Sequence, residues 1–253
     1  MRSIFLALAI ALGGGCATTI EQQARDAAEG GIDPAPLITA LQAQYGSIEA
    51  TKRIFDVTLI EGRRRFRGEG AVQYRAEPRR LRADIFGPHG APVLRLTLVG
   101  DSLTLVLPRE DEVVTGRLGD PRFAELAGER ALANPEILGA VLGAYDLTPL
   151  LQGARLVAAS DGERSTLYVV KGVTAHAFTL ESAAGDHRLV EYRQGRQGHL
   201  AYRVRFADFQ DVAGRLSPRH VVVRDYVVER TLVVDVTQEH EDVPIDPTSS
   251  PGR

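Results

Sequence analysis

The side chains with the widest chemical range in this sequence are scattered rather than grouped. Its six histidines are His89, His176, His187, His199, His220 and His240, with no pair at metal-ligand spacing on a helix and none beside a cysteine. Glu110, Asp111 and Glu112 put three carboxylates in a row, yet the regular spacing of a calcium loop is missing, so a charged hairpin tip accounts for them better. His89 stands in a Gly-Pro-x-Gly turn, where solvent is its expected partner. No Gly-x-Ser-x-Gly elbow, phosphate-binding loop or dinucleotide fingerprint occurs. With no acid–base pair or nucleophile to assign, the expectation is a protein that is not an enzyme, with no catalytic residue, metal or cofactor.

Composition narrows the classes further. The chain has 253 residues, 44% of them hydrophobic and 25% charged, which suits a globular protein with a sizeable core. Its net charge is −3, and the longest basic run is Arg63-Arg64-Arg65 at an expected strand turn. That is a solvated tip rather than a nucleic-acid contact. A single cysteine, Cys16, excludes an internal disulfide.

That cysteine follows a leader. Arg2 supplies a short positive region, Ile4 to Leu12 an apolar run, and Gly13-Gly14-Gly15 the small residues of a cleavage site, in the order of a secretory signal peptide. The run is far short of the roughly 20 residues that span a bilayer. Gly14, Gly15 and Cys16 together resemble the lipobox of bacterial lipoproteins. The resemblance implies cleavage after residue 15 and acylation of Cys16, which would hold the protein on a membrane. Ala17, rather than Asp, follows the cysteine, and by the same resemblance this implies the outer membrane and a periplasm-facing domain.

The rest of the chain must supply the elements. Residues 16–33 read as an anchor and a small, polar tether, 34–238 as one folded domain, and 239–253 as an acidic, Pro- and Ser-rich disordered tail. Asp33-Pro34, Asp120-Pro121 and Asn134-Pro135 each place a capping side chain before a proline at a first helical position. The first of these helices carries Leu37, Ile38, Leu41 and Tyr45 on one stripe. Everything else alternates as strand, with turn signals such as Glu61-Gly62, Gly87-Pro88, Gly100-Asp101 and Gln197-Gly198 between the runs. About ten or eleven strands with hairpin-length connections predict a mostly β, antiparallel meander. A sheet that wide curls. The expected architecture is a strongly curved, incomplete barrel with short helices as a lid over an apolar cavity.

Within it, the stretch from Glu77 to Gly116 carries a further likeness. Pro78, Leu81-Arg82, Gly87-Pro88-His89-Gly90, Val93 to Val99, Gly100-Asp101 and Leu103 to Pro108 follow one another behind the lipobox. In that order they resemble the outer-membrane lipoprotein carrier and receptor family, the LolA/LolB-like half-barrels. The resemblance implies that acyl chains of lipids or lipoproteins bind inside the half-barrel. Phe55, Val57, Leu59, Leu94, Leu96 and Leu98 are the candidate lining, and core packing is the plainer account of each one alone. It further implies a monomer whose partners are the membrane, those acyl chains and a periplasmic carrier protein. An envelope scaffold or lipid sensor on the same fold stays open.

Overall fold

The structure is a computed structural model and describes residues 19–46, 48–117, 147–183 and 186–241. Within those residues, thirteen strands form one antiparallel sheet that is not closed into a barrel. The first meander is β1 (Ala50–Glu61), β2 (Arg64–Arg75), β3 (Arg80–Phe86), β4 (Pro92–Val99), β5 (Ser102–Leu107) and β6 (Glu112–Arg117). A second begins with β7 (Arg155–Ser160), β8 (Arg164–Lys171), β9 (Thr174–Ala183) and β10 (Asp186–Arg196). It ends with β11 (His199–Val212), β12 (Arg215–Asp225) and β13 (Arg230–Glu241). The two meanders are joined where β1 pairs with β13, so β6 and β7 end the strand order among the described residues, and Ile32 makes a single antiparallel bridge to Ala158 of β7. This is the expected incomplete barrel, with β6 and β7 as strands beyond those that the alternation marks.

Each strand's period of two sends one set of side chains to the inner face. Leu59, Leu232, Val223, Val204, Tyr192, Phe178 and Leu167 are in register across seven strands, and from β13 to β8 every one of them is buried. The helix α2 (Ala35–Gly46) covers this face with Leu37, Leu41 and Tyr45, all buried, and Ile38 half-buried. Asp33 caps it as the sequence predicts: Ala35 N–H donates to Asp33 Oδ1 at 3.0 Å. A bulge in β10 between Leu189 and Glu191 frees the Leu189 N–H, which donates to Gln44 Oε1 of α2 at 3.2 Å. The one-turn helix α3 (Thr148–Leu151) packs on the same side. The helices expected after Asp120-Pro121 and Asn134-Pro135 lie outside the described residues, as does Cys16.

Two boundaries differ from the sequence reading. Most of the expected tether is a helix, α1 (Ile20–Gly30), lying on the outer face of β7 to β10. Thr19 caps it, its Oγ1 accepting from Gln22 N–H at 3.1 Å. Ile20, Ala24 and Ala27 form its buried stripe against Tyr168, Ala175 and Ala177, a second and smaller apolar cluster. Alanine stripes bury little area, which is why a polar tether was the natural expectation. At the other end, Glu239 to Glu241 belong to β13 and not to a tail.

Candidate functional site

The six candidate lining residues share the inner face and one apolar cluster. Phe55, Val57, Leu94, Leu96 and Leu98 are buried and Leu59 is half-buried. They form two groups, on β1 and β4, bridged by the small and branched residues of β2 and β3. Phe55, Gly70, Ile85 and Leu94 make one cross-strand row, and Val72, Ala83, Leu96 and Leu105 the next. Gly70 is glycine for a local reason. A side-chain carbon there would lie 2.3 Å from Phe55 Cε2 and 2.9 Å from Ile85 Cδ1, so the Phe55 ring occupies the space over the β2 backbone. Each large side chain withdrawn onto this face contributes about 1.5–3 kcal/mol.

One end of the same face is charged, which the sequence reading missed. Arg53 follows the β1 alternation inward, two residues before Phe55, and is fully buried. Its partner arrives by an irregularity: Ile54 pairs with Gln238 but Phe55 with Val236, so Thr237 is an extra residue on β13. That bulge reverses the parity of the strand and turns Glu239 inward. Arg53 Nη2 donates to Glu239 Oε1 and to Ser217 Oγ, both at 2.8 Å, and Ser217 donates to Glu239 Oε2 at 2.6 Å. Arg215 Nη2 donates to Glu239 Oε1 at 3.0 Å and to Glu241 Oε1 at 2.7 Å. Burial pushes the Arg53 guanidinium below its ordinary range, against the pull of Glu239. Burial alone would raise the Glu239 carboxyl; Arg53, Ser217 and Arg215 outweigh it and hold the carboxyl below the usual range. Burial also raises the Tyr45 hydroxyl of α2, which lies in the field of Arg53 and Arg215. The only advance signal was an arginine at an inward position of an alternating strand.

Three sequence-singled groups resolve plainly. Glu110 and Asp111 lie in the turn between β5 and β6, and Glu112 opens β6; all three are exposed. His89 is exposed in a 3₁₀ turn at φ 66°. His176 is buried, its Nδ1 2.9 Å from the Tyr192 hydroxyl, and burial lowers its pKa to about 4. Among the described residues, no three His, Cys, Asp or Glu side chains group as metal ligands.

The outer face is polar where α1 leaves it bare. A cleft of about 690 Å³ runs over β8 to β11, lined by Arg164, Glu181, Arg188, Glu191, Arg203 and Arg205 among others. Glu191 alone lies within ion-pair distance of Arg193, Arg203 and Arg205, at 3.3, 2.7 and 3.2 Å. The inner face is therefore suited to apolar matter and the outer face to charged matter.

No protein-family model and no curated protein matches the sequence. Solved structures do match. A LolA superfamily protein from Nitrosomonas europaea superposes with a TM-score of 0.59 at 12% identity, over 84% of this chain and 96% of that one. This is the LolA/LolB-like fold. A domain attributed to outer membrane lipoprotein sorting in Vibrio parahaemolyticus gives 0.59 at 10% identity, over 87% and 95% of the two chains. A DUF1329 family protein from Desulfovibrio piger gives 0.60 at 14%, over 85% and 96%. The likeness is one of fold. It covers 84–87% of this chain and agrees with the fold expected from the motifs between Glu77 and Gly116.

Proposed function

We propose that this chain is a lipoprotein of the outer membrane, held by acylated Cys16 and facing the periplasm, that shelters acyl chains of lipids or lipoproteins and aids their localisation. The observation that supports this most is the continuous apolar inner face of an unclosed LolA/LolB-like sheet, with α2 laid over it. An acyl chain moved from water onto such a face gains roughly 0.8 kcal/mol per methylene, with no polar contact required. The chemistry is then binding and exchange, and no bond is made or broken. A periplasmic carrier protein is the natural donor.

Native mass spectrometry of the chain made without its leader and with Cys16→Ala tests the reading. Copurifying acyl chains, displaced by Leu96→Phe in protein of unchanged circular dichroism, are the expected result. Protein that carries none and takes up no fluorescent fatty acid would overturn lipid carriage. The arginine-lined outer cleft would then be the face on which to test use as a scaffold.

A further inference from the structure

Where the membrane sits relative to the sheet follows from α1. Its first turn rests on the β10–β11 hairpin tip: Gly198 N–H donates to Glu21 Oε1 at 3.4 Å, and a side-chain carbon on Gly198 would lie 3.9 Å from Thr19 Cγ2. Because residues 20–30 are docked helix, only Ala17 and Thr18 separate Cys16 from the cap at Thr19. Three residues reach at most about 11 Å even when fully extended.

The neighbourhood of that cap is one continuous rim. Gln197 N–H donates to Val173 O at 2.8 Å, tying in the β8–β9 tip. Tyr226 N–H donates to Ala201 O at 2.9 Å, which brings the β12–β13 turn alongside. Arg230 pairs with Glu61 at 2.8 Å and adds the β1–β2 tip. Two large apolar side chains stand out of this rim, Val173 at 56% and Val227 at 68% exposure. Around them Arg63, Arg64, Lys171 and Arg196 are exposed, against the carboxylates Glu61 and Glu229. The opposite rim also exposes valine, at Val99, but its tips carry Glu77, Asp101, Asp161 and Glu163, all exposed, against the exposed Arg117 and Arg164. Apolar tips alone do not choose between the rims; charge and the anchor do, and both choose the same one.

We infer that the rim formed by the β1–β2, β8–β9, β10–β11 and β12–β13 tips is the membrane-facing surface, seated on an anionic bilayer with Val173 and Val227 in its headgroup layer. The inference rests on the acylated Cys16 of the proposed function. A lipid anchor gains residence from a second signal such as a basic patch, and arginine and lysine beside a bilayer interact with anionic headgroups. The acidic β5–β6 tip shares this end of the sheet and is separated from the β1–β2 hairpin in the strand order by β3 and β4.

The test uses the full acylated chain reconstituted in vesicles of phosphatidylethanolamine and phosphatidylglycerol, with a fluorophore on Val227→Cys or, separately, on Val99→Cys. Intact mass first reports the acyl group on Cys16. Nitroxide on the lipid headgroups is expected to quench the label at position 227 several-fold more than the label at 99, and Lys171→Glu with Arg196→Glu to reduce that difference. Unmodified Cys16 would overturn the anchor and the rim with it. An acylated protein with equal or reversed quenching would overturn the rim alone.

Discussion

Arg53 and Glu239 meet at 2.8 Å with both side chains wholly withdrawn from solvent, although 186 positions separate them in the chain. The pair sits where the first meander joins the second, so it bridges β1 and β13 at the seam of the sheet. Ser217 on β12 donates to the same carboxylate, and Tyr45 brings α2 over the cluster. The seam is thus fixed by a charge-assisted network that continues the Val72–Ala83–Leu96–Leu105 row onto β1 and β13.

A buried pair of this kind is costly to break and cheap to replace. Arg53→Met alone leaves Glu239 buried without its main partner and is expected to lower stability by about 3–5 kcal/mol. The double variant Arg53→Met with Glu239→Leu removes both charges and is expected to recover most of that loss. Urea unfolding of the single and double variants measures it. A double variant as weak as the single one would show that the pair holds the seam by more than mutual neutralisation.

Gly70 and Phe55 make a second testable contact. Alanine usually gains slightly over glycine within a strand, but here its carbon would meet the Phe55 ring at 2.3 Å. Gly70→Ala is therefore expected to destabilise by about 1–3 kcal/mol through overpacking. Adding Phe55→Leu should relieve part of it, giving a favourable coupling in a double-mutant cycle. A Gly70→Ala protein with unchanged melting temperature would contradict the packing.

How legible was this in the sequence? Alternating leucines on β4 and β5, and turn pairs such as Gly100-Asp101, mark their hairpin directly, because one face is core and the other solvent. β7 is hidden because both faces are covered: Ala158 joins the main core while Val157 and Ala159 pack toward α1, so no alternation shows. β6 escapes notice as an edge strand with little burial. α1 conceals its stripe in alanines. Glu239 could not be placed by counting, since the extra residue Thr237 leaves no mark of its own in the sequence and reverses the parity after it. The candidate lining was legible as a set of inward positions, and the charged cluster beside it was not.

The docking of α1 has a direct check. Ala24 is fully buried against the cluster around Tyr168, Ala175 and Ala177. Ala24→Leu inserts three carbons into a closed contact and is expected to cost about 1–3 kcal/mol. In a loose tether the same change would cost nothing and, by helix propensity, alter little. Thermal unfolding separates the two. An unchanged melting temperature would also remove the short reach from Cys16 on which the membrane-facing rim depends.

His176 is buried beside Tyr192 on the inner face, and its pKa in the fold is about 4, lowered by burial from 6.5. The folded protein therefore keeps the ring neutral at pH values where the unfolded chain takes up a proton. Proton uptake by the unfolded state makes stability fall as pH is lowered from about 6.5 toward 4, and the loss from this group is complete near pH 4. At 1.36 kcal/mol per pKa unit, the loss amounts to up to about 3 kcal/mol. Carboxylates add their own dependence at the acid end, since Glu239 is held below its usual range and loses its pairing only as the pH falls further. The comparison that isolates the histidine is wild type against His176→Gln, which keeps a hydrogen-bonding group near the Tyr192 hydroxyl. Chemical denaturation at pH 7.5, 6 and 5 should show the wild type losing stability over that range more steeply than the variant. Parallel curves would mean that His176 titrates alike in both states and that its burial does not govern the acid sensitivity of the fold.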